Sequence, residues 1–328
     1  PWMVFDYIDG AAGREIGVAR NRSAFDDLEL RPRILRDVSD RSLAVPLFNQ
    51  TAKVPFGISP MGMCNLSAPG ADMMLARLAA REHVPLGVST VASTAMEPLI
   101  EAAEGHAWFQ LYFTGDGDGT FKLVERAKAA GYETIILTVD VPEVGRRPRE
   151  LRHGFTMPFK IGPRQFLDFA CHPRWSLTAL AKGKPQMANF DMDGYEFDRT
   201  ESRAKANWDT LAQLRDMWPG KLVVKGVLDA QDALMLRDAG VDGADRDAAA
   251  ARHGVAGVNR QVNNDLIELA AIHPEQPQIP VVIHLQFYIL ANQSTQQIGK
   301  VGQGLGNIQH HRLQFLLARE GQQLTHQI

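Results

Sequence analysis

Thr134-Ile-Ile-Leu-Thr-Val-Asp140, continued by Val141-Pro-Glu-Val-Gly-Arg-Arg147, decides how the rest of the chain is read. A short β-branched apolar run ends in a carboxylate. Proline and glycine then turn the chain, and two arginines follow. Helical patterns lie on both sides, so the run reads as a strand buried on both faces of a parallel sheet. In a barrel of such strands the chemistry sits at their C-terminal ends. That puts Asp140 at the mouth, with Arg146 and Arg147 on the emerging loop. The competing reading makes Asp140 a cap of the next element and leaves the arginines solvated.

Working outward, the same unit recurs. Val54–Pro60, Val84–Thr90, Ala107–Phe113 and Lys221–Gly226 read as further inner strands. Helical patterns follow Met63 through Arg81 and cover 95–103, 120–130, 208–217 and 229–239. Strand, polar loop and helix in repetition predict an α/β fold with a parallel sheet, a TIM (β/α)8 barrel. The polar residues at the strand ends then form a set: Ser89, Gln110, Tyr112, Thr138, Asp140 and Lys225. In a closed barrel they share one mouth, where an amide, hydroxyls, a phenol and a lysine could grip a polar heteroaromatic ring. Any one of them alone reads equally well as a polar cap of the barrel. Lys225 follows three apolar residues, and an ammonium at a buried strand end needs an anionic partner.

Length and composition set the bounds. The 328 residues suffice for one such barrel or two smaller domains, and 45% apolar and 22% charged residues are ordinary for a globular protein. A net charge of −3 gives no reason to expect nucleic acid. Cys64 and Cys171 have no metal spacing and form no disulfide framework, which suits a reducing, cytoplasmic setting. No apolar run reaches the roughly 18 residues of a membrane span. No signal peptide is recognisable, and the start at Pro1 reads as a fragment of a longer chain. Residues 1–10 are short and aromatic with Gly10 as a stop, and residues 11–50 read as an irregular covering segment. Gly115-Asp-Gly-Asp-Gly119 suggests a calcium loop but lacks the closing glutamate, so no metal is expected. Residues 141–206 are too long for a plain barrel loop. They carry Phe166-Leu-Asp-Phe-Ala-Cys-His-Pro-Arg-Trp175 and Ala181-Lys-Gly-Lys-Pro185. Such a connection serves as a lid, an oligomer contact, a membrane-surface anchor or an ordinary surface excursion.

Taken together, Phe5-Asp-Tyr-Ile-Asp-Gly10, Asn21-Arg-Ser-Ala-Phe25, Arg31-Pro-Arg33, Gln110-Leu-Tyr112, Thr138-Val-Asp-Val-Pro142, Gly145-Arg-Arg147 and Val224-Lys-Gly226 are highly specific. With these motifs residues 1–243 resemble the FMN-dependent α-hydroxy acid dehydrogenases and oxidases, the group of lactate and mandelate dehydrogenases and glycolate oxidase. The resemblance implies an FMN cofactor, with Ser89, Gln110, Thr138 and Lys225 holding the flavin and Pro60, Met61 and Gly62 lying beside its ring. It implies substrate binding by Tyr7, Tyr112 and Arg147, with Arg147 on the carboxylate of a small 2-hydroxy acid. Tyr112 and Asp140 would be catalytic, Asp140 by orienting and charging a histidine base. Gly62 stands where oxidases of the group often carry alanine, which favours a quinone or another acceptor over oxygen. The basic, aromatic loop 159–190 stands where membrane-associated relatives keep their anchor. Peripheral contact at the inner face of the cytoplasmic membrane, and a homo-oligomer, are the corresponding expectations. A type 2 isopentenyl diphosphate isomerase would share the barrel and flavin, but Tyr7 and the Gly-Arg-Arg motif argue against it.

The resemblance stops abruptly. After Val241-Asp-Gly243 the group carries Ser-Asn-His-Gly-Gly-Arg, with the base and a second carboxylate clamp, and later Asp-Gly-Gly-Ile-Arg and Gly-Arg for the phosphate. Here Ala244-Asp-Arg-Asp-Ala-Ala-Ala-Ala-Arg-His253-Gly254 follows instead. His253 echoes the base at the wrong spacing and reads better as a surface histidine of an alanine-rich helix. Ile279–Leu285 resembles a seventh strand, and Gly302-Gln-Gly-Leu-Gly306 reads as a flexible turn. Glutamine occurs 6 times in 1–243 and 13 times in 244–328, so the composition shifts where the match ends. Residues 244–328 are therefore expected to be a non-matching tail, with a frameshift or chimera near 244 as the hypothesis. The barrel is expected to be incomplete or irregular after about residue 243, and the enzyme impaired or an inactive flavin-binding remnant. Translation of the parent gene in its other frames tests this: absence of Ser-Asn-His-Gly-Gly-Arg from all of them would count against a frameshift.

Overall fold

The computed structural model describes residues 1–26, 34–48, 50–115, 117–155, 161–183, 186–192 and 202–245. Arg31–Arg33, Asp116, residues 159–160, Lys184 and Pro185, and the tail with His253, Ile279–Leu285 and Gly302–Gly306 lie outside the described residues.

The chain opens with helix Trp2–Asp9 and helix Ile16–Asp26, followed by a hairpin of β1 (Val45–Leu47) and β2 (Gln50–Ala52). Six parallel strands come next: β3 (Ile58–Met61), β4 (Leu86–Ser89), β5 (Ala107–Tyr112), β6 (Thr134–Thr138), β7 (Lys221–Lys225) and β8 (Gly243–Asp245). Each pairs with the next in sequence order, and helices Ala71–Glu82, Met96–Ala102, Asp118–Ala129, Trp208–Met217 and Ala230–Asp238 return the chain between them. Sequential parallel order without a reversal is the winding of a barrel, not of a doubly wound sheet. The described residues thus supply six successive barrel strands of an α/β fold.

Alternation along the strands separates two cores. Phe109, Leu111, Ile135, Leu137, Leu222 and Val224 face outward and pack with Leu99, Leu123, Val124, Leu211, Leu214 and Leu236 of the helices. Trp108, Ile136 and Val223 face the other way and form a second cluster, onto which Leu47 and Phe48 of the hairpin pack. The Phe48 and Trp108 rings lie 5.4 Å apart. Gln50 Nε2 donates to the Gly105 carbonyl just before β5, so the hairpin covers the N-terminal end of the strands. The opposite end is left for chemistry.

Several expected boundaries move. β3 begins at Ile58, not Val54, and β4 at Leu86, not Val84, because Pro55 and Pro85 cannot donate to a ladder. The helical pattern after Met63 breaks at Ala68-Pro-Gly70 into Cys64–Ser67 and Ala71–Glu82. Residues 11–50 are not wholly irregular, since they contain a helix and the first strand of the hairpin. The long connection holds helices Pro148–His153, Pro163–Ala170 and Pro173–Lys182, each with proline in its first turn.

Candidate active site

Strand register brings the predicted polar set together. Ser89 pairs with Gln110 across β4 and β5, and Thr138 pairs with Tyr112 on one side and Lys225 on the other. Ser89, Gln110 and Thr138 are buried. Ser89 Oγ donates to Gln110 Oε1 at 3.2 Å, and Gln110 Nε2 donates to Thr138 Oγ1 at 3.0 Å. This chain of hydrogen bonds sets the amide orientation: oxygen toward β4, nitrogen toward β6. Thr90, which sequence reasoning passed over, reinforces it. Its Oγ1 donates to the Gln110 carbonyl at 2.5 Å and accepts from Tyr112 N–H at 3.3 Å.

Asp140 lies two residues beyond the end of β6 rather than in the strand. Its Oδ2 accepts from Lys225 Nζ at 3.1 Å, and both side chains are only 17% exposed. The anionic partner that a strand-end lysine requires is therefore Asp140. Asp140 Oδ1 is buried and has no hydrogen-bond partner among the described residues. An orphaned carboxylate oxygen at a strand-end mouth is a costly feature that a donor from outside would relieve.

Gly226 makes this approach possible. Its φ is +100°, and a Cβ there would stand 2.4 Å from Asp140 Cβ and 2.6 Å from Asp140 Cγ. Only glycine lets the end of β7 and the loop after β6 share that space.

Pro60 and Met61 end β3, and Gly62 follows directly. A Cβ on Gly62 would meet Val91 Cγ2 at 2.5 Å, so the β3 and β4 loops are in close contact. Above them, Met3 and Val4 of the first helix pack on Met63 and Leu66, which carries Tyr7 to the rim. Tyr7 stacks on Phe155 at 5.0 Å, and the Arg147 guanidinium lies 5.1 Å from the Tyr7 ring.

Arg147 is more heavily engaged than the sequence suggests. Its Nη2 donates to the carbonyls of Tyr7 at 2.5 Å and Gly10 at 2.7 Å, and its Nε lies 2.7 Å from Glu150 Oε1. The latter contact is an ion pair by distance, although both atoms lack a well-angled hydrogen bond. Arg147 therefore ties the first helix to the loop after β6. Arg149 does the same through Asp9 and Glu15, each at 2.6 Å. The Glu15 carboxyl is held below its ordinary range chiefly by its hydrogen bond from Arg149.

A second addition is Asn189, fully buried within the long connection. Its Nδ2 donates to the Ser89 and Thr90 carbonyls, and its Oδ1 accepts from Met96 N–H. Nothing local in the sequence marks it, since its partners lie about a hundred positions away. The described histidines stand apart from Asp140: His83 faces His106, His153 pairs with Asp6, and His172 with Asp168.

A model of the family described as FMN-dependent dehydrogenase matches residues 1–245. An (S)-mandelate dehydrogenase of Pseudomonas putida is 38% identical over 251 residues, covering 74% of this chain and 63% of that protein. An L-lactate dehydrogenase of Pseudomonas syringae is 34% identical over 289 residues, covering 84% of this chain and 72% of that protein. Another curated relative is matched over 60% of its length, so the chain spans about three fifths of two of these relatives. Among solved structures, a monotopic membrane protein, (S)-mandelate dehydrogenase, aligns with TM-score 0.73 and 30% identity over 89% of this chain and 84% of that one. A mandelate oxidase variant with (S)-mandelic acid aligns with TM-score 0.61 and 30% identity over 75% and 63%.

Proposed function

The chain belongs to the FMN-dependent dehydrogenase family, and on that premise we propose that it oxidises a small L-2-hydroxy acid, lactate- or mandelate-like, to the 2-oxo acid. The observation that carries this reading is the strand-end array: Ser89, Gln110 and Thr138 in one hydrogen-bonded row, with Lys225 and Asp140 paired beside it. The donor set fits the family's cofactor, because hydroxyls, an amide and an ammonium match the polar edge of a flavin. The unpartnered Asp140 Oδ1 fits a site that takes up further groups.

FMN, when bound, supplies an acceptor for two electrons. Ser89, Gln110, Thr138 and Lys225 would hold it, with Pro60, Met61 and Gly62 alongside. Lys225 would stabilise negative charge that builds up on reduction, a preorganised electrostatic role. Tyr112 would hydrogen-bond the substrate, and Tyr7 and Arg147 would border it. Asp140 would orient and charge the base that takes the hydroxyl proton, while the α-hydrogen leaves with the electron pair. None of the described histidines fills that position, and the usual base motif is absent from the sequence, so turnover is expected to be slow. Loss of a general base costs about 10²–10⁴ in rate.

The test is optical. Purified protein is loaded with FMN and mixed without oxygen with (S)-mandelate or L-lactate. Yellow protein that bleaches slowly supports the reading. Yellow protein that never bleaches would replace it with a flavin-binding remnant, and colourless protein would end both. A quinone added after bleaching restores the colour faster than oxygen if the Gly62 reading of the acceptor holds.

The helix pair Pro163–Ala170 and Pro173–Lys182 supports peripheral membrane contact. Phe166, Leu167, Leu177 and Leu180 are exposed, Leu180 by 79%. Arg164, Arg174 and Lys182 lie on the same two helices. Their other side is anchored: Phe169 stacks on Trp175, Trp175 Nε1 donates to the Leu66 carbonyl, and Asp168 accepts from Trp2 N–H. Among the described residues no helix is long and apolar enough to cross a membrane. Short apolar helices with basic residues lie in the interface instead. Leu177→Gln with Leu180→Gln is expected to reduce sedimentation with anionic phospholipid vesicles by at least about tenfold, since each buried leucine contributes about 1.5–3 kcal/mol. Unchanged sedimentation would remove this assignment.

A further inference from the structure

Residues 202–207 cross the mouth on the side of β5 and β6. The Ser202 carbonyl accepts from Gly115 N–H at 3.1 Å, and Arg203 N–H donates to the Pro142 carbonyl at 2.9 Å. Ser202 Oγ donates to Glu143 Oε1 at 2.8 Å. Asn207 then caps the next helix, its Oδ1 accepting from Thr210 N–H. The segment is thus pinned to the loop after β5, to the loop after β6, and to the start of a helix.

This pinning sets the Arg203 guanidinium 4.0 Å from the centre of the Tyr112 ring. Arg203 Nε is buried and has no hydrogen-bond partner among the described residues. No carboxylate of the described residues forms an ion pair with it. Two other arginines differ: Arg147 is held by Glu150 and two carbonyls, and Arg149 by Asp9 and Glu15. A guanidinium has five N–H donors and cannot lose its charge, so a buried, unanswered N–H is costly unless an anion meets it. A guanidinium over the face of a phenol ring can still take a carboxylate on the edge of its fork with two parallel hydrogen bonds.

We infer that Arg203 is a carboxylate-binding residue of the substrate site, acting beside Tyr112 on the 2-hydroxy acid. The assignment rests on the proposed hydroxy-acid reading. It gives the chain a clamp of its own while Arg147 is occupied by the first helix. The phosphate of FMN is the other anion that could answer Arg203, and the experiment separates the two.

FMN-loaded wild type, Arg203→Met and Arg203→Lys are titrated with (S)-mandelate and with the uncharged (S)-mandelamide, following heat or flavin difference spectra. Apoprotein of each is titrated with FMN and with riboflavin. Arg203→Met is expected to weaken mandelate binding about 10- to 100-fold, the range for lost hydrogen bonds to a charged group. Mandelamide, FMN and riboflavin should bind as in the wild type, and Arg203→Lys should fall between, because it keeps the charge without the fork. Unchanged mandelate binding by either variant overturns the inference while leaving the hydroxy-acid reading intact. Equal weakening of mandelate and mandelamide, or selective weakening of FMN against riboflavin, also overturns it. Wild type that binds FMN but no hydroxy acid overturns both. Arg203→Lys keeps the experiment decisive if Arg203→Met fails to fold.

Discussion

Lys225→Met is expected to cost about 2–3 kcal/mol of stability and to abolish flavin reduction. Breaking a buried ion pair by removing one partner costs about 3–5 kcal/mol, because the other charge is left alone in a low-dielectric site. The 17% exposure of both side chains warrants the lower figure. Asp140 is the vulnerable partner: Oδ1 already lacks a hydrogen bond, so losing Lys225 would leave Oδ2 in the same position. Asp140→Asn placed on top of Lys225→Met should therefore recover at least about 1 kcal/mol, since no net charge would remain to be buried. Urea denaturation of the four proteins completes the cycle. A double variant as unstable as Lys225→Met alone would show that the pair is not what the lysine provides.

Gly226→Ala should be strongly damaging, at about 3 kcal/mol or more. Two penalties combine. A non-glycine residue at φ +100° is strained by about 1–2 kcal/mol. The added Cβ also enters the space of Asp140 Cβ and Cγ and stands 3.0 Å from Asp140 N, so the loop after β6 must move with its carboxylate. Gly131→Ala supplies the control. It has φ +91° but nothing within 4 Å of an added Cβ, so it bears only the backbone strain. The difference between the two melting curves isolates the contact with Asp140. Equal losses would mean that Gly226 matters for its backbone alone. Flavin affinity should fall with Gly226→Ala and stay level with Gly131→Ala, because only the former displaces Asp140 from Lys225.

Both predictions concern residues that the sequence marks by type and position. Val-Val-Lys-Gly at 223–226 reads as a strand with a charged end, and Thr-Val-Asp at 138–140 as its neighbour's exit. Their mutual contact does not follow from that. Lys225 and Asp140 are 85 positions apart, and the strand register of β6 against β7 is what sets them side by side. Asp140 was expected at the end of the strand, but it lies on the loop beyond, and a glycine on the next strand makes room for it.

Local periodicity determined the βα repetition, the two-sided burial of β6 and the strand-end set from Ser89 to Lys225, because each depends on residues within one turn or one strand. Only the tertiary structure decided which donors remain open. It occupies Arg147 with Tyr7, Gly10 and Glu150, seats Asn189 beneath the Ser89–Thr90 turn, and lays Arg203 on Tyr112. Apart from the Glu150 contact, three positions from Arg147, those contacts join segments about ninety to a hundred and forty positions apart. A side chain's partner at that range is chosen by how the barrel brings loops together, and no local pattern of residues carries that information.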